Sequence, residues 1–164
     1  MLLQAGGKRT LHEDGPHNQT SKGGWKTVNI DSIANGIVID HITAGRGRML
    51  YDLLKLDELD QSVAFIKNVT SSKMGRKDII KIDGITDVDF DLIGYVDPEA
   101  TVNIIKDTVI IEKKKLSPPK KLTNVLFCKN PRCITTIEQE IDHVFVLSNE
   151  KEKEYRCIYC ETKA

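Results

Sequence analysis

The chain holds four cysteines, in two pairs: Cys128-Lys-Asn-Pro-Arg-Cys133 and Cys157-Ile-Tyr-Cys160. Each pair is spaced so that both sulfurs can reach one ion, and zinc favours four thiolates in a tetrahedron. Asn130 and Pro131 inside the first pair suit the tight turn that would aim its sulfurs inward. The stretch from about Lys120 to Ala164 is too short to bury a large core, so metal binding would supply much of its folding free energy. Two disulfides would suit a secreted domain, but Met1-Leu2-Leu3-Gln4 turns polar at once and opens no apolar leader segment. A redox Cys-x-x-Cys would leave the other pair without a role. The spacing therefore predicts one structural zinc ion held by Cys128, Cys133, Cys157 and Cys160. With four protein ligands such an ion has no open position for a water nucleophile.

Two further groups carry charge in a useful pattern. Asp40-His41 ends an apolar run, and neighbours on a strand face opposite sides, so one of the two is free to meet a ligand. Lys77 and Lys81 stand four apart on an expected strand, on one side of it, where two ammonium groups would make a seat for a triphosphate. The alternative is that these lysines are simply solvated, as lysines usually are. His143, beside the zinc strands, is expected at the surface, and His12 and His17 lie in a polar tail. There is no Ser-His-Asp arrangement, phosphate-binding glycine loop or dinucleotide fingerprint, so catalysis is not expected.

The elements that would position these residues follow from periodicity. The chain has 164 residues, and its 24 Lys and Arg balance its 24 Asp and Glu, so no overall basic field announces nucleic acid. No apolar run is long enough to span a membrane, and the expected compartment is the cytoplasm. Residues 1–24 lack a hydrophobic period and are expected to be disordered, with order beginning near Trp25 and the apolar positions Val28 and Ile30. A strand over 35–42 leads into a helix over 46–56 with Met49, Leu50, Leu53 and Leu54 on one face. Strands over 63–69 and 79–82 follow, then a helix over 87–96 stopped by Pro98. Strands over 101–105 and 108–112, turning at Lys106-Asp107, form a hairpin. This order matches the split βαβ plan, so the expected fold is α+β: a ferredoxin-like antiparallel sheet with two helices on one face. Lys113–Lys121, with Ser117-Pro118-Pro119, reads as a hinge. A small β-rich zinc ribbon with strands over 124–127, 144–147 and 155–157 completes the chain, a charged tip joining the last two. The expected organisation is an extension over 1–24, a first domain over 25–116 and a zinc domain over 117–164.

Taken together, Asn35-Gly-Ile-Val-Ile-Asp-His-Ile42, Met74-Gly-Arg-Lys-Asp-Ile-Ile-Lys-Ile82, Pro98-Glu-Ala-Thr-Val-Asn-Ile-Ile105 and the closing Cys-x4-Cys and Cys-x2-Cys pairs resemble the regulatory chain of aspartate carbamoyltransferase, over about Val28 to Cys160. The resemblance implies a non-catalytic subunit of pyrimidine biosynthesis whose first domain binds CTP as inhibitor and ATP as activator and pairs with a second regulatory chain. It implies a zinc domain that docks on the catalytic chain, so that regulatory dimers bridge catalytic trimers. By matching positions, Asp40 and His41 would lie by the nucleotide, Lys81 on the phosphates or ribose, and Lys113 on the phosphates, with Lys77 a weaker candidate for the phosphate side. Ile33, Val38, Asn103 and Ile105 would line the base and sugar pocket, with Asp31 near its entrance. The competing class is a zinc-ribbon protein that binds nucleic acid, with Lys113–Lys121 tracking phosphates. Neutral net charge and few aromatics for base stacking stand against it.

Overall fold

The computed structural model describes residues 33–84 and 87–164. The expected tail over 1–24, the start of order at Trp25, and Asp31 lie outside the described residues. Strand β1 (Gly36–Thr43), helix α1 (Gly47–Leu53), strands β2 (Val63–Ser71) and β3 (Gly75–Asp83), helix α2 (Phe90–Val96) and strands β4 (Thr101–Lys106) and β5 (Val109–Lys115) follow in that order. They build a five-stranded sheet in the order β2-β3-β1-β4-β5, with every neighbouring pair antiparallel. Each helix carries the chain past an inserted strand, which is the split βαβ arrangement.

Alternation along the strands decides the layers. Ile37, Ile39, Ile80, Ile82, Val102 and Ile104 all point to one face, where Leu50, Leu56, Ile93 and Val96 close over them, and all are buried. β-branched side chains at every second position suit this half-buried pleat, since their stiff χ1 loses little on packing. The other face of the sheet carries the polar candidates.

A second sheet, in the order β6-β7-β8, is formed by β6 (Lys121–Thr123), β7 (Val144–Asn149) and β8 (Glu154–Cys157), with a short helix α3 (Ile134–Ile137) after the first cysteine pair. Its core gathers Leu122, Phe145, Tyr155 and three of the cysteines. Tyr95 of α2 packs against both cores, its ring edge-on to Tyr155 with centroids 5.5 Å apart.

Several boundaries differ from the periodic expectation. Helix α1 stops at Leu53 because Lys55 turns left-handed (φ 51°), and a 3-10 turn, Leu56–Glu58, carries the chain onward. Met49 faces solvent at 53% exposure, so the apolar face of α1 runs through Leu50, Leu53 and Leu54 without it. Helix α2 begins at Phe90, where the Asp89 side chain accepts hydrogen bonds from the Asp91 and Leu92 amides as an N-cap. The β4–β5 turn falls on Asp107-Thr108, both with positive φ as a two-residue hairpin turn requires. Strand β5 continues through Lys115, which opposes Thr101, so the lysine run belongs partly to the sheet and the linker is shorter than expected. That linker is packed: Pro119 is buried and its carbonyl accepts the Tyr155 hydroxyl at 2.8 Å. Residues 124–127 are not a strand, because Asn124 turns left-handed and its side chain ties down Asp142 and the His143 amide.

Candidate functional site

The cysteine pairs meet at the end of the second sheet. β8 delivers Cys157, the turn after it Cys160, and the loop before α3 brings Cys128 and Cys133 opposite. The four sulfurs all lie within 4.8 Å of one another, with Cys128–Cys160 at 3.4 Å and Cys133–Cys157 at 3.8 Å. Four thiolates about 2.3 Å from a zinc ion stand about 3.8 Å apart, so this donor set fits the ion in number, softness and size. The surroundings favour negative sulfur at defined points. The Asn130 amide hydrogen-bonds Cys128, and the Tyr159 and Cys160 amides serve Cys157. The Thr162 hydroxyl and amide hold the Cys160 thiol down to about 6, whereas burial pushes Cys128 up to about 12 and Cys157 up as well. A cation is what lets all four be thiolates together.

The second candidate site is built by strand register on the face away from the helices. Val38 of β1 lies directly opposite Lys81 on β3 and Asn103 on β4, and Asn103 lies opposite Lys113 on β5. Directly opposed residues of antiparallel strands share a face. Lys81, Val38, Asn103 and Lys113 therefore form one row across four strands. A second row contains Asp40, Thr101 and Lys115. Lys77 reaches across to grip Asp40, its Nζ 2.7 Å and 3.0 Å from the two carboxylate oxygens. Burial would raise the Asp40 pKa, but the Lys77 hydrogen bond and the His41 amide outweigh it and hold the carboxyl below its usual value. Ile105 shares this side of β4 one pair further along, opposite Gly36, and Ile33 precedes β1 near the β4–β5 turn, where the Thr108 amide bonds the Ala34 carbonyl.

Strict alternation fails at His41, which corrects the expectation that Asp40 and His41 face opposite sides. The pairing of β1 with β3 shifts between Ile39 and Ile42, and His41 sits in the resulting bulge with φ 59°. Its amide bonds its neighbour's carboxylate at 2.7 Å. Its Nδ1 lies 3.2 Å from that carboxylate but out of line, so this buried nitrogen has no hydrogen-bond partner among the described residues. The Asn103 side-chain oxygen is likewise buried and unpartnered. Buried polar atoms without a partner are unusual; the Asn103 oxygen lies in the row between Lys81 and Lys113, and His41 follows Asp40 of the second row.

Comparison with known proteins identifies both parts of the chain. The model described as the aspartate carbamoyltransferase regulatory chain, allosteric domain, matches residues 28–117, and that for the metal binding domain of the same chain matches residues 120–164. The chain belongs to this regulatory-chain family. The aspartate carbamoyltransferase regulatory chain of Clostridium botulinum is 51% identical over 134 residues, 82% of this chain and 92% of the relative. That of Clostridium tetani is 51% identical over 135 residues, 82% and 94% of the two chains. The Bifidobacterium longum chain is 41% identical over 137 residues, 84% and 99%. Neither matched domain of the regulatory-chain family is catalytic: one is allosteric and one binds metal.

The structure of this family member adds residues that sequence reasoning missed. Thr101 and Lys115 join the sheet-face site only through register, which no local signal reveals. His143, expected to be an uninvolved surface residue, accepts the Cys128 amide on Nδ1 at 3.1 Å and meets the Phe127 ring. Thr135 is buried with its hydroxyl 3.2 Å from Cys133 Sγ. Asp78, wholly buried, takes the Gly45 and Gly47 amides on Oδ2 and the Asn68 amide on Oδ1, so it holds the chain just after the bulge in β1 and the matching bulge in β2. Among the described residues no helix is long and apolar enough to cross a membrane.

Proposed function

We propose that this chain is the effector-binding subunit of aspartate carbamoyltransferase in pyrimidine biosynthesis, acting in the cytoplasm, and that CTP as inhibitor and ATP as activator compete for the open sheet face. In this reading residues 25–116 form the nucleotide domain and residues 117–164 the zinc domain. The observation that carries it is the row Lys81, Val38, Asn103 and Lys113, beside the unpartnered Asn103 oxygen. An amino group on a base would satisfy that oxygen, Val38 and Ile105 would bear on the rings, and Lys81 and Lys113 would offset phosphate charge. Asp40 and His41 would lie by the nucleotide, with Lys77 a weaker candidate for the phosphate side; Ile33 would line the base and sugar pocket, with Asp31 near its entrance.

The zinc domain would dock on the catalytic chain. Phe127, Ile134, Ile137, Ile158 and Tyr159 lie around the cysteine turns and are 40–66% exposed, an apolar surface of the kind that marks protein contacts. The edge strand β5 exposes Val109, Ile110 and Ile111, which suits pairing with a second regulatory chain, and such dimers would bridge catalytic trimers. Lys113 and Lys115 stand in the sheet and Lys114 lies 4.0 Å over the Phe90 ring, so the lysine run is not a loose basic tail of the kind a nucleic-acid reader would use.

Calorimetric titration of the zinc-loaded chain with CTP and then ATP tests the assignment. Competitive binding at one site per chain is expected, and Lys81→Ala should weaken it by about tenfold or more with zinc content and assembly intact. Loss of assembly in that variant, or no heat from either nucleotide beside salt-sensitive binding of random DNA, would overturn the reading.

A further inference from the structure

We propose that Asp97, braced by Arg46, is a positioning residue that carries the state of the nucleotide site to the boundary between the two domains; this rests on the nucleotide reading above. Asp97 is fully buried at the end of α2. Its Oδ2 accepts the Thr43 amide at 2.6 Å, and its Oδ1 accepts the Glu99 amide at 3.3 Å. Thr43 closes β1 two residues after His41 and pairs with Lys77, the residue that grips Asp40. A ligand that draws on Asp40, His41 or Lys77 therefore pulls on the segment whose amide Asp97 holds.

The other end of the connection is equally short. Arg46 donates to the Val96 carbonyl at 3.0 Å and stands 3.7 Å from Asp97 Oδ1, tying the start of α1 to the end of α2. One turn back on α2, Gly94 lies so close to the linker that a Cβ there would be 2.4 Å from the Ser117 carbonyl oxygen. Next to it Tyr95 meets the ring of Tyr155, whose hydroxyl bonds Pro119. Arg46, Met49, Tyr95, Val96 and Lys153 of the β7–β8 turn line an open cleft of about 260 Å³ at this boundary.

A buried carboxylate that holds a backbone amide does not stretch gradually. If the Thr43 bond is lost, Oδ2 and the Thr43 amide lose each other while Glu99 and Arg46 still hold Oδ1, so the segment favours two discrete positions, bonded and released. Effector binding acts at a distance only when it favours one such position over another.

The test uses zinc-loaded holoenzyme assembled from the full chain and its catalytic chain. Two quantities are read: the dissociation constant for CTP, and the factor by which CTP shifts half-saturation by aspartate. Arg46→Ala and Asp97→Asn should keep the dissociation constant within about threefold, while the coupling factor falls by about twofold to thirtyfold. Arg46 is a surface residue, so its variant keeps the test open should Asp97→Asn fold poorly. Affinity and coupling falling together would make the pair part of the pocket and overturn the proposal, as would both staying unchanged. Wild-type holoenzyme that binds no nucleotide would overturn the underlying reading as well, a result distinct from a responsive wild type with unaffected variants.

Discussion

Replacing Asp78 by alanine probes what holds the candidate nucleotide face in register. Its side chain is fully buried and accepts three backbone amides: Gly45 at 2.9 Å, Gly47 at 3.2 Å and Asn68 at 2.9 Å. The Gly47 amide is buried and would lose its partner outright, whereas those of Gly45 and Asn68 are partly exposed and would regain some water. One orphaned donor plus two partial losses amounts to about 2–4 kcal/mol. For a domain of this size that lowers the melting temperature by roughly 10–25 °C. Asp78→Asn keeps one acceptor oxygen and should lose about half as much. Urea unfolding of the zinc-loaded chain, followed by far-UV circular dichroism, measures the difference, with zinc content as a control on the separate second core. The bulges in β1 and β2 should relax with the loss, seen as faster hydrogen exchange at Gly45, Gly47 and Asn68. A loss below about 0.5 kcal/mol would refute the reasoning, because it would mean that these amides find other partners at no cost.

Removing zinc with a chelator should unfold the β6–β8 module and leave the five-stranded sheet standing, since three of the six buried residues of the second core are cysteine ligands. Persisting exchange protection in β7 after metal loss would contradict this. Asp40 should titrate below the ordinary carboxylate value of about 3.9, and Lys77→Met should raise it, read from the carboxyl carbon by NMR. With the folded value depressed, the stability that Asp40 contributes is fully present above the unfolded value and fades as pH falls through the folded one. Because Asp40 is partly exposed, Asp40→Asn should cost less than about 1 kcal/mol at neutral pH. Gly94→Ala would push a Cβ against the Ser117 carbonyl, with a loss of about 1–3 kcal/mol, and should speed proteolysis of the linker; unchanged cleavage would count against a packed linker.

The order of elements, the apolar alternation of Ile37, Ile39, Ile80 and Ile82, and the two cysteine pairs were legible in the chain because each is a short-range pattern. Asn103, Ile105 and Lys113 entered only through resemblance, since nothing local distinguishes them from other strand residues. Their placement is a matter of tertiary structure. Val38, Lys81, Asn103 and Lys113 come from four strands, and one slip of register would turn any of them to the opposite face. The bulge at His41 breaks the period that sequence reading relies on, and it is backed by Asp78, whose bonds run to Gly45 and Gly47 on one side and Asn68 on the other. The continuation of β5 to Lys115 and the meeting of Tyr95 with Tyr155 likewise depend on partners distant in the chain. Composition and spacing showed the strands and two helices of the first domain and the four clustered cysteines, but not β6 or α3. Long-range pairing decided which polar side chains share a face, because register is set by burying the apolar face and by turn geometry, and the polar side chains on the other face follow it.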